Sequence, residues 1–303
     1  MAAAHERLVR PPLVFIGDRW TPVVKPAGAP RQDVRLVTWN VWFGPHQFHA
    51  RGVGLLAELE RRQPDVIALQ EVTPDLLERI AATPWIRAAY QLSDSDGLTI
   101  DGYGVVVMAR VPVHKFRIVA VPSQMGRRLV VAELACGLTI ASIHLESTAA
   151  RTASRAQQLR LVQPYLAGLG PDVVLAGDMN FAPGDRTETA ALDPSFIDAW
   201  PALHGDAPGY TIDSSVNHMR HDLRPVHRRI DRVFVRSAAW SPRAIALVGT
   251  APLDDAGTFV SDHFGLDVTL ALGDPRDPRV AAMMPGSWSR SSKAGASRCF
   301  CAP

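Results

Sequence analysis

The sequence predicts a single mixed α/β (α+β) domain, and three observations carry that prediction. Its 303 residues are 47% hydrophobic and 20% charged, an ordinary balance for a globular chain with a sizeable core. Between residues 34 and 272, short runs rich in branched and aromatic residues alternate with segments of helical spacing. Segments of a different composition, one dense in proline and one rich in Ser, Gly, Ala and Arg, flank that stretch.

Residues 1–33 contain Pro11, Pro12, Pro22, Pro26 and Pro30, a density that breaks ladders and helices, and read as an N-terminal arm. The Leu13 to Ile16 run and Trp20 offer apolar groups for docking that arm on the domain. Val34 to Trp39 is a strand by its branched and aromatic content. Leu55 to Arg62 has helical spacing and stops before Pro64, and Val66 to Leu69 forms a short buried strand. Tyr103 to Met108, Leu129 to Leu134 and Leu138 to Ile143 are further strands, the last two joined at Cys136-Gly137. Arg151 to Leu166 presents Leu159, Val162 and Leu166 on one helix face. Val173 to Leu175, Ile230 to Val235 and Leu266 to Leu270 complete the strand set. The expected domain is residues 34–272, roughly 240 residues in length. Residues 273–303, opening on Asp274-Pro-Arg-Asp-Pro-Arg279, have little to bury and read as a disordered tail.

Charge decides little, since a formal +2 neither requires nor excludes a nucleic-acid partner. Lysine occurs only at 25, 115 and 293, so 29 of the 32 basic residues are arginine. That bias suits phosphate recognition through the guanidinium fork, and a high-GC genome produces it equally well. Cys136, Cys299 and Cys301 are too few and too poorly spaced for a disulfide framework or a zinc site; the last two offer only a weak case for a reactive thiol. Met1 to Arg10 lacks the apolar stretch of a signal peptide, and no run approaches the ~18 apolar residues of a membrane span. The expectation is a cytoplasmic enzyme with no membrane association and no obligate protein partner.

Five places interrupt apolar runs with polar groups: Asn40, Gln70-Glu71, His144-Leu-Glu146-Ser147-Thr148, Asp178-Met179-Asn180 and Ser261-Asp262-His263. Each has a plain reading when taken alone. Asn40 can simply turn the chain, Glu71 can be a solvated residue before a helix capped by Thr73, and a single histidine is more often structural than catalytic. Five in one domain are harder to set aside, because a buried carboxylate or imidazole costs several kcal/mol, roughly, unless paired or metal-bound. Oxygen-rich ligands without a cysteine cluster suit Mg²⁺ or Mn²⁺ better than zinc. Phosphate-ester hydrolysis needs a base for water and donors for the transition state, and this set contains both.

Thr38-Trp39-Asn40, Leu69-Gln70-Glu71, Gly177-Asp178-Met179-Asn180, Arg229-Ile230-Asp231 and Ser261-Asp262-His263, in this order, resemble the endonuclease/exonuclease/phosphatase superfamily over about residues 34 to 272. The resemblance implies a DNase I-like four-layer α-β-β-α sandwich of two mixed sheets with the site at one edge. The run His144 to Thr148, followed by Arg155 and Gln158-Leu159, is similar to the tyrosyl-DNA phosphodiesterase branch, which removes tyrosyl adducts from DNA 5′ ends. Gly102-Tyr103, Tyr210-Thr211-Ile212-Asp213 and Asn217 also lie where that branch has counterparts.

Carried over position by position, the resemblance implies that Glu71 binds the metal with Asn40 beside it and Asp262 reaching it through water. Asp178 would deprotonate the attacking water and Asn180 would help position it. His263 would stabilise the transition state with its ring fixed by Asp231, while His144, Ser147 and Arg155 would hold the phosphate. The chain departs from that branch at Ile212, where a Trp is expected, and at Ala149 and the Phe181-Ala182-Pro183 run, where arginines are expected. Tyr103, Phe181 or Trp42 could take over an aromatic wall for bases. Arg220, Arg224, Arg228, Arg229 and Arg232 could track a nucleic-acid backbone or form a solvated face. The function implied is a phosphodiesterase acting at nucleic-acid ends, 5′-tyrosyl-DNA adducts included. The alternatives are a general nuclease or a small-molecule or lipid phosphodiesterase on the same scaffold, and a binding protein without catalysis.

Overall fold

The computed structural model describes residues 7–23, 30–220 and 224–273; the expected C-terminal tail beyond Gly273, with Cys299 and Cys301, lies outside them. The chain opens with strands β1 (Arg7–Arg10), β2 (Leu13–Ile16), β3 (Arg19–Pro22) and β4 (Asp33–Asn40). Helix α1 (Phe48–Arg62), β5 (Val66–Val72), α2 (Pro74–Ala82) and α3 (Pro84–Ala89) follow. Then come β6 (Gln91–Leu92), β7 (Gly104–Ala109), β8 (Val113–Ala120), β9 (Arg128–Leu134), β10 (Thr139–His144) and α4 (Thr152–Ala167). β11 (Val173–Asp178), the single turn α5 (Arg186–Thr189), β12 (Ile197–Asp198) and α6 (Ala199–His204) lead to a small ribbon, β13 (Ile212–Asp213) with β14 (His227–Arg228). β15 (Asp231–Arg236), β16 (Trp240–Val248) and β17 (Gly265–Leu272) close the domain.

Two sheets result, in the orders β1-β8-β9-β10-β11-β15-β12 and β16-β17-β4-β5-β7-β6-β2-β3. Both are mixed, because β10 runs parallel to β11, and β4 to β5, among otherwise antiparallel pairs. Strand alternation sorts side chains into layers. Leu36, Ala68, Val107 and Phe116 pack with Ile140, Val174 and Val233 between the sheets. Val37, Trp39, Ile67 and Leu69 face outward onto Leu55, Leu59, Leu76 and Ile80 of α1 and α2. On the other side, Ala141, Ile143, Leu175 and Phe234 meet Leu159, Val162 and Leu166 of α4. This is the expected four-layer α-β-β-α sandwich.

The helices begin and end where local chemistry dictates. Thr73 caps α2 by accepting a hydrogen bond from the Leu76 amide, with Pro74 at the first helical position. α1 stops at Gln63, whose left-handed φ of 45° closes the helix before Pro64. It starts at Phe48, earlier than the sequence pattern suggests, because Phe48 to Val53 carry no apolar stripe of their own.

The segment expected as an arm is a correction to the sequence reading. β1 pairs with β8, and the β2–β3 hairpin extends the other sheet through β6. Edge pairing needs few main-chain donors, so Pro11 and Pro12 fall between β1 and β2, and Pro22 ends β3 at the sheet margin. Two long strands also escape the sequence pattern. β8 carries His114, Lys115 and Arg117 within its alternation, and β16 contains Pro242 at a register shift.

Gly177 is where the fold meets the site. Its φ of 133° lies in the region that favours glycine, and a Cβ there would sit 2.0 Å from the Ile143 carbonyl oxygen of the neighbouring strand. Any side chain would pry β11 from β10 one residue before His144 and Asp178 pair. Gly177→Ala is therefore expected to lower stability by about 2–4 kcal/mol in denaturant titrations. A variant as stable as wild type would show that this close approach is dispensable.

Candidate active site

The topology brings five polar interruptions to one edge. β4 ends at Asn40 and β5 carries Glu71, the parallel pair delivering both to the same side. β10 ends at His144 and β11 at Asp178, again in parallel register, while antiparallel β15 begins at Asp231 opposite Asp178. β17 runs antiparallel to β4, so Asp262 and His263 just before it return to that edge. A cavity of about 540 Å³ opens there, lined by Glu71, His144, Ser147, Asp178, Asn180, Asp262 and His263 among others.

Side-chain hydrogen bonds fix these groups. The Asn40 Nδ2 group donates to Glu71 Oε1 and to Asp178 Oδ2, both at 3.0 Å, linking carboxylates of the two sheets. Beneath it, Gln70 Nε2 donates to Thr38 Oγ1 and across the sheet interface to Ser142 Oγ. Asp178 Oδ1 accepts from the Asn180 amide at 2.8 Å, and Asn180 Nδ2 donates to the Leu145 carbonyl and to Ser147 Oγ. His263 Nδ1 donates to Asp231 Oδ2 at 2.8 Å. Backbone strain is concentrated here: among the described non-glycine residues with positive φ, Gln47 and Gln63 bound α1, and Trp42, Glu71, Thr148 and Asn180 surround the cavity.

Burial and like charge push the acids up. Burial raises the Glu71 carboxyl above its ordinary range, and neighbouring Asp262 adds to the effect. Burial, then the negative charge of Asp231, pushes Asp178 up to about 7. His263 goes well above its ordinary value although burial opposes this, because Asp231, Asp262 and Asp178 surround it, so it is an imidazolium. Burial and the Arg127 charge push His144 well below its ordinary value, so it is neutral. Arg127 Nη1 lies 3.0 Å from His144 Nδ1. A guanidinium only donates, so Nδ1 must accept and Nε2 carries the proton. That Nε2 lies 3.3 Å from Asp178 Oδ2 and 3.3 Å from Ser147 Oγ, presenting a donor to the cavity.

Three sequence-level assignments change. Arg155 does not reach the cavity: it is buried, ion-paired with Glu188, and donates to the Glu146 and Thr148 carbonyls, so it supports the loop that carries Ser147. Phe181 is fully buried under Arg232 and offers no face to a base. Arg229 and Arg232 are committed to Asp198, whereas Arg220 and Arg228 line the cavity.

Two residues the sequence reading overlooked matter here. Arg127 orients His144 and Ser147, and lies over the Tyr103 ring at 5.2 Å. Arg51 donates to the carbonyls of Val41, Trp42, Gly44 and His46, holding the loop whose Phe43 amide donates to Glu71 Oε2. Neither follows a strand end, so strand-end polarity gave no cue to them.

Among the described residues, Asp178, Asp231 and His263 place ligand atoms within 4.8 Å of one another. The His263–Asp231 ion pair satisfies two of these and Asp262 faces Arg220, which leaves Glu71 and Asp178 as the acids in excess. Buried oxygen donors of like charge gathered at one point fit a hard divalent cation.

This fold and site define a metal-dependent phosphodiesterase of the hydrolase class. The chain belongs to the Endonuclease/Exonuclease/phosphatase family, whose model matches residues 37–263. It is 29% identical to tyrosyl-DNA phosphodiesterase 2 of Homo sapiens over 271 residues, covering 82% of this chain and 72% of that protein. With the Gallus gallus protein of the same name it shares 31% over 251 residues, 76% of this chain and 65% of that one. The crystal structure of D. rerio TDP2 with a single-strand DNA product superposes with a TM-score of 0.70 at 28% identity, over 79% of this chain and 99% of that one.

The raised pKa of Asp178 has a stability consequence. Folding favours its protonated form, so its contribution is present at acidic pH, below the unfolded pKa, and is lost as pH rises through about 7. In metal-free protein at pH 8, Asp178→Asn is expected to be more stable than wild type by about 2–4 kcal/mol, at roughly 1.4 kcal/mol per pKa unit. The gain should shrink towards pH 4. Denaturant titrations at both pH values check this, and equal or lower stability of the variant at pH 8 would contradict it.

Proposed function

We propose that this chain hydrolyses phosphodiester bonds at nucleic-acid ends, 5′-tyrosyl adducts of DNA included, with Mg²⁺ or Mn²⁺ as cofactor. The observation that carries the reading is the convergence of Asp178, Asn180, His144, Ser147 and His263 on one cavity beside Glu71. The likeness to tyrosyl-DNA phosphodiesterase 2, and to its structure bound to single-strand DNA product, supports the choice of substrate.

Glu71, with Asn40 and Asp262 beside it, would hold the cation. When bound, the cation polarises the phosphate and neutralises its charge. Asp178, held by Asn40 and the Asn180 amide, takes the proton of the attacking water. Asn180 Nδ2, Ser147 Oγ and the neutral His144 Nε2–H donate to phosphate oxygens, supplying preorganised donors where negative charge grows. His263 brings a positive charge to the transition state, with its ring fixed by Asp231.

One observation favours a second reading, a broader phosphodiesterase of the same chemistry. Ile212 lines the cavity where the tyrosyl-DNA branch has an aromatic residue, so the ribbon itself offers no stacking face to an unpaired base.

The test is a 5′-phosphotyrosyl oligonucleotide run beside abasic duplex, RNA and lipid head-group diesters, with Mg²⁺ or Mn²⁺. Tyrosine release by wild type is expected, with Asp178→Asn slower by at least about 10²-fold. No release at high enzyme concentration would overturn the tyrosyl assignment. Unchanged turnover in Asp178→Asn on every substrate would overturn the catalytic one.

A further inference from the structure

The arginines between residues 220 and 232 divide into two groups that the sequence does not distinguish. Arg229 and Arg232 have side chains only 8% and 5% exposed, and both donate to Asp198 Oδ2. Those two are structural. Arg220 and Arg228 are 32% and 38% exposed, and both line the active-site cavity.

Each of the latter is itself partly exposed and faces an acid, a buried one for Arg220 and an exposed one for Arg228. The Arg220 guanidinium lies 3.4 Å from Asp262 Oδ2, and Arg228 pairs with the equally exposed Asp185. Arg228 stands on β14 directly opposite Ile212 of β13, so the ribbon presents an aliphatic side chain and a guanidinium side by side. The Asp185 pair also draws Arg228 to the loop after Asn180, which carries Ala182 and Pro183 and no cation of its own.

A single phosphodiester is already served by His144, Ser147, Asn180 and His263. Two more guanidiniums, each facing an acid, line the ribbon side of the same cavity beyond that set. We infer that Arg220 and Arg228 form a second phosphate clamp, gripping the backbone phosphate next to the scissile one, so that the preferred substrate is a polynucleotide chain held on the ribbon side by its backbone rather than by base stacking. Guanidinium forks match phosphate bidentately, and Ile212 supplies no π-face to read a base. Recognition of this kind is independent of sequence and weakens with salt. The inference rests on the nucleic-acid reading above and specifies its substrate.

The experiment compares a tyrosyl ester of thymidine 5′-monophosphate, which has one phosphate, with a 5′-phosphotyrosyl tetranucleotide. Wild type, Arg220→Ala, Arg228→Ala, the two lysine variants and Arg224→Ala are measured over a salt series. Wild type is expected to prefer the tetranucleotide. Each alanine variant at the clamp should lower the tetranucleotide-to-monomer ratio of kcat/KM about tenfold, mostly through KM, and flatten the salt dependence by roughly 0.7 in log–log slope per lost contact. Lysine should restore part of the ratio. Arg224 is exposed and does not line the cavity, so Arg224→Ala should leave the ratio unchanged.

A ratio unchanged in both clamp alanine variants overturns the inference and leaves the nucleic-acid reading standing. An equal drop in Arg224→Ala also overturns it, by showing diffuse attraction in place of a clamp. Failure of wild type to cleave either substrate overturns the inference together with the reading beneath it.

Discussion

Carboxylates from both sheets crowd into one cavity, and a single amide group holds two of them in place. Asn40 Nδ2 bridges Glu71 of one sheet and Asp178 of the other, while Asp231 faces Asp178 across β11 and β15. Burying like charges this closely is unfavourable, and the raised Glu71 and Asp178 carboxyls register that cost. The rest of the site can be understood as a response to it. His263 becomes a cation among three acids, and positive backbone angles at Glu71 and Asn180 aim the side chains where extended strands could not. A divalent cation completes the balance.

Rigidity for this arrangement comes from below. Gln70 ties Thr38 to Ser142 across the sheet interface, so the two halves of the site cannot slide apart without breaking buried hydrogen bonds. Gly177 lets β11 approach β10 closely enough to bring His144 beside Asp178. Further out, the Glu146 carboxylate accepts from Ser123 Oγ and the Gln124 amide, and Ser123 Oγ in turn accepts from the Arg127 amide. Arg127 then sets the proton on His144 Nε2. One motif, His144 to Thr148, thus serves two ends: His144 and Ser147 face the cavity, and Glu146 steadies the arginine that orients them.

Much of the fold was legible because alternation and strand-end polarity are local properties. Val34 to Trp39, Val66 to Leu69 and Val173 to Leu175 are apolar runs that stop at the polar groups of the cavity, while the four-layer sandwich was implied by the family resemblance that those polar motifs carry. What escaped was non-local. The proline-dense N-terminus forms edge strands because its partners, β8 and β6, offer free edges, a fact stored in those strands. Arg155 looked like a phosphate ligand because it follows the His144 run, yet Glu188, distant in sequence, claims it. Likewise Asp198 separates two arginines from the pair that faces the cavity. Charge type can be read from sequence; which acid each arginine meets is decided by packing.

An acid cluster built for a divalent cation must release protons when that cation binds. With Asp178 titrating near pH 7 and Glu71 raised, Mn²⁺ or Mg²⁺ entering at pH 6.5 must displace a substantial fraction of a proton. Calorimetric titration in two buffers of different ionisation enthalpy measures that release. Wild type is expected to bind saturably with proton release, and Glu71→Gln is expected to lose binding. Binding without proton release, or equal binding in Glu71→Gln, would contradict a cation site there.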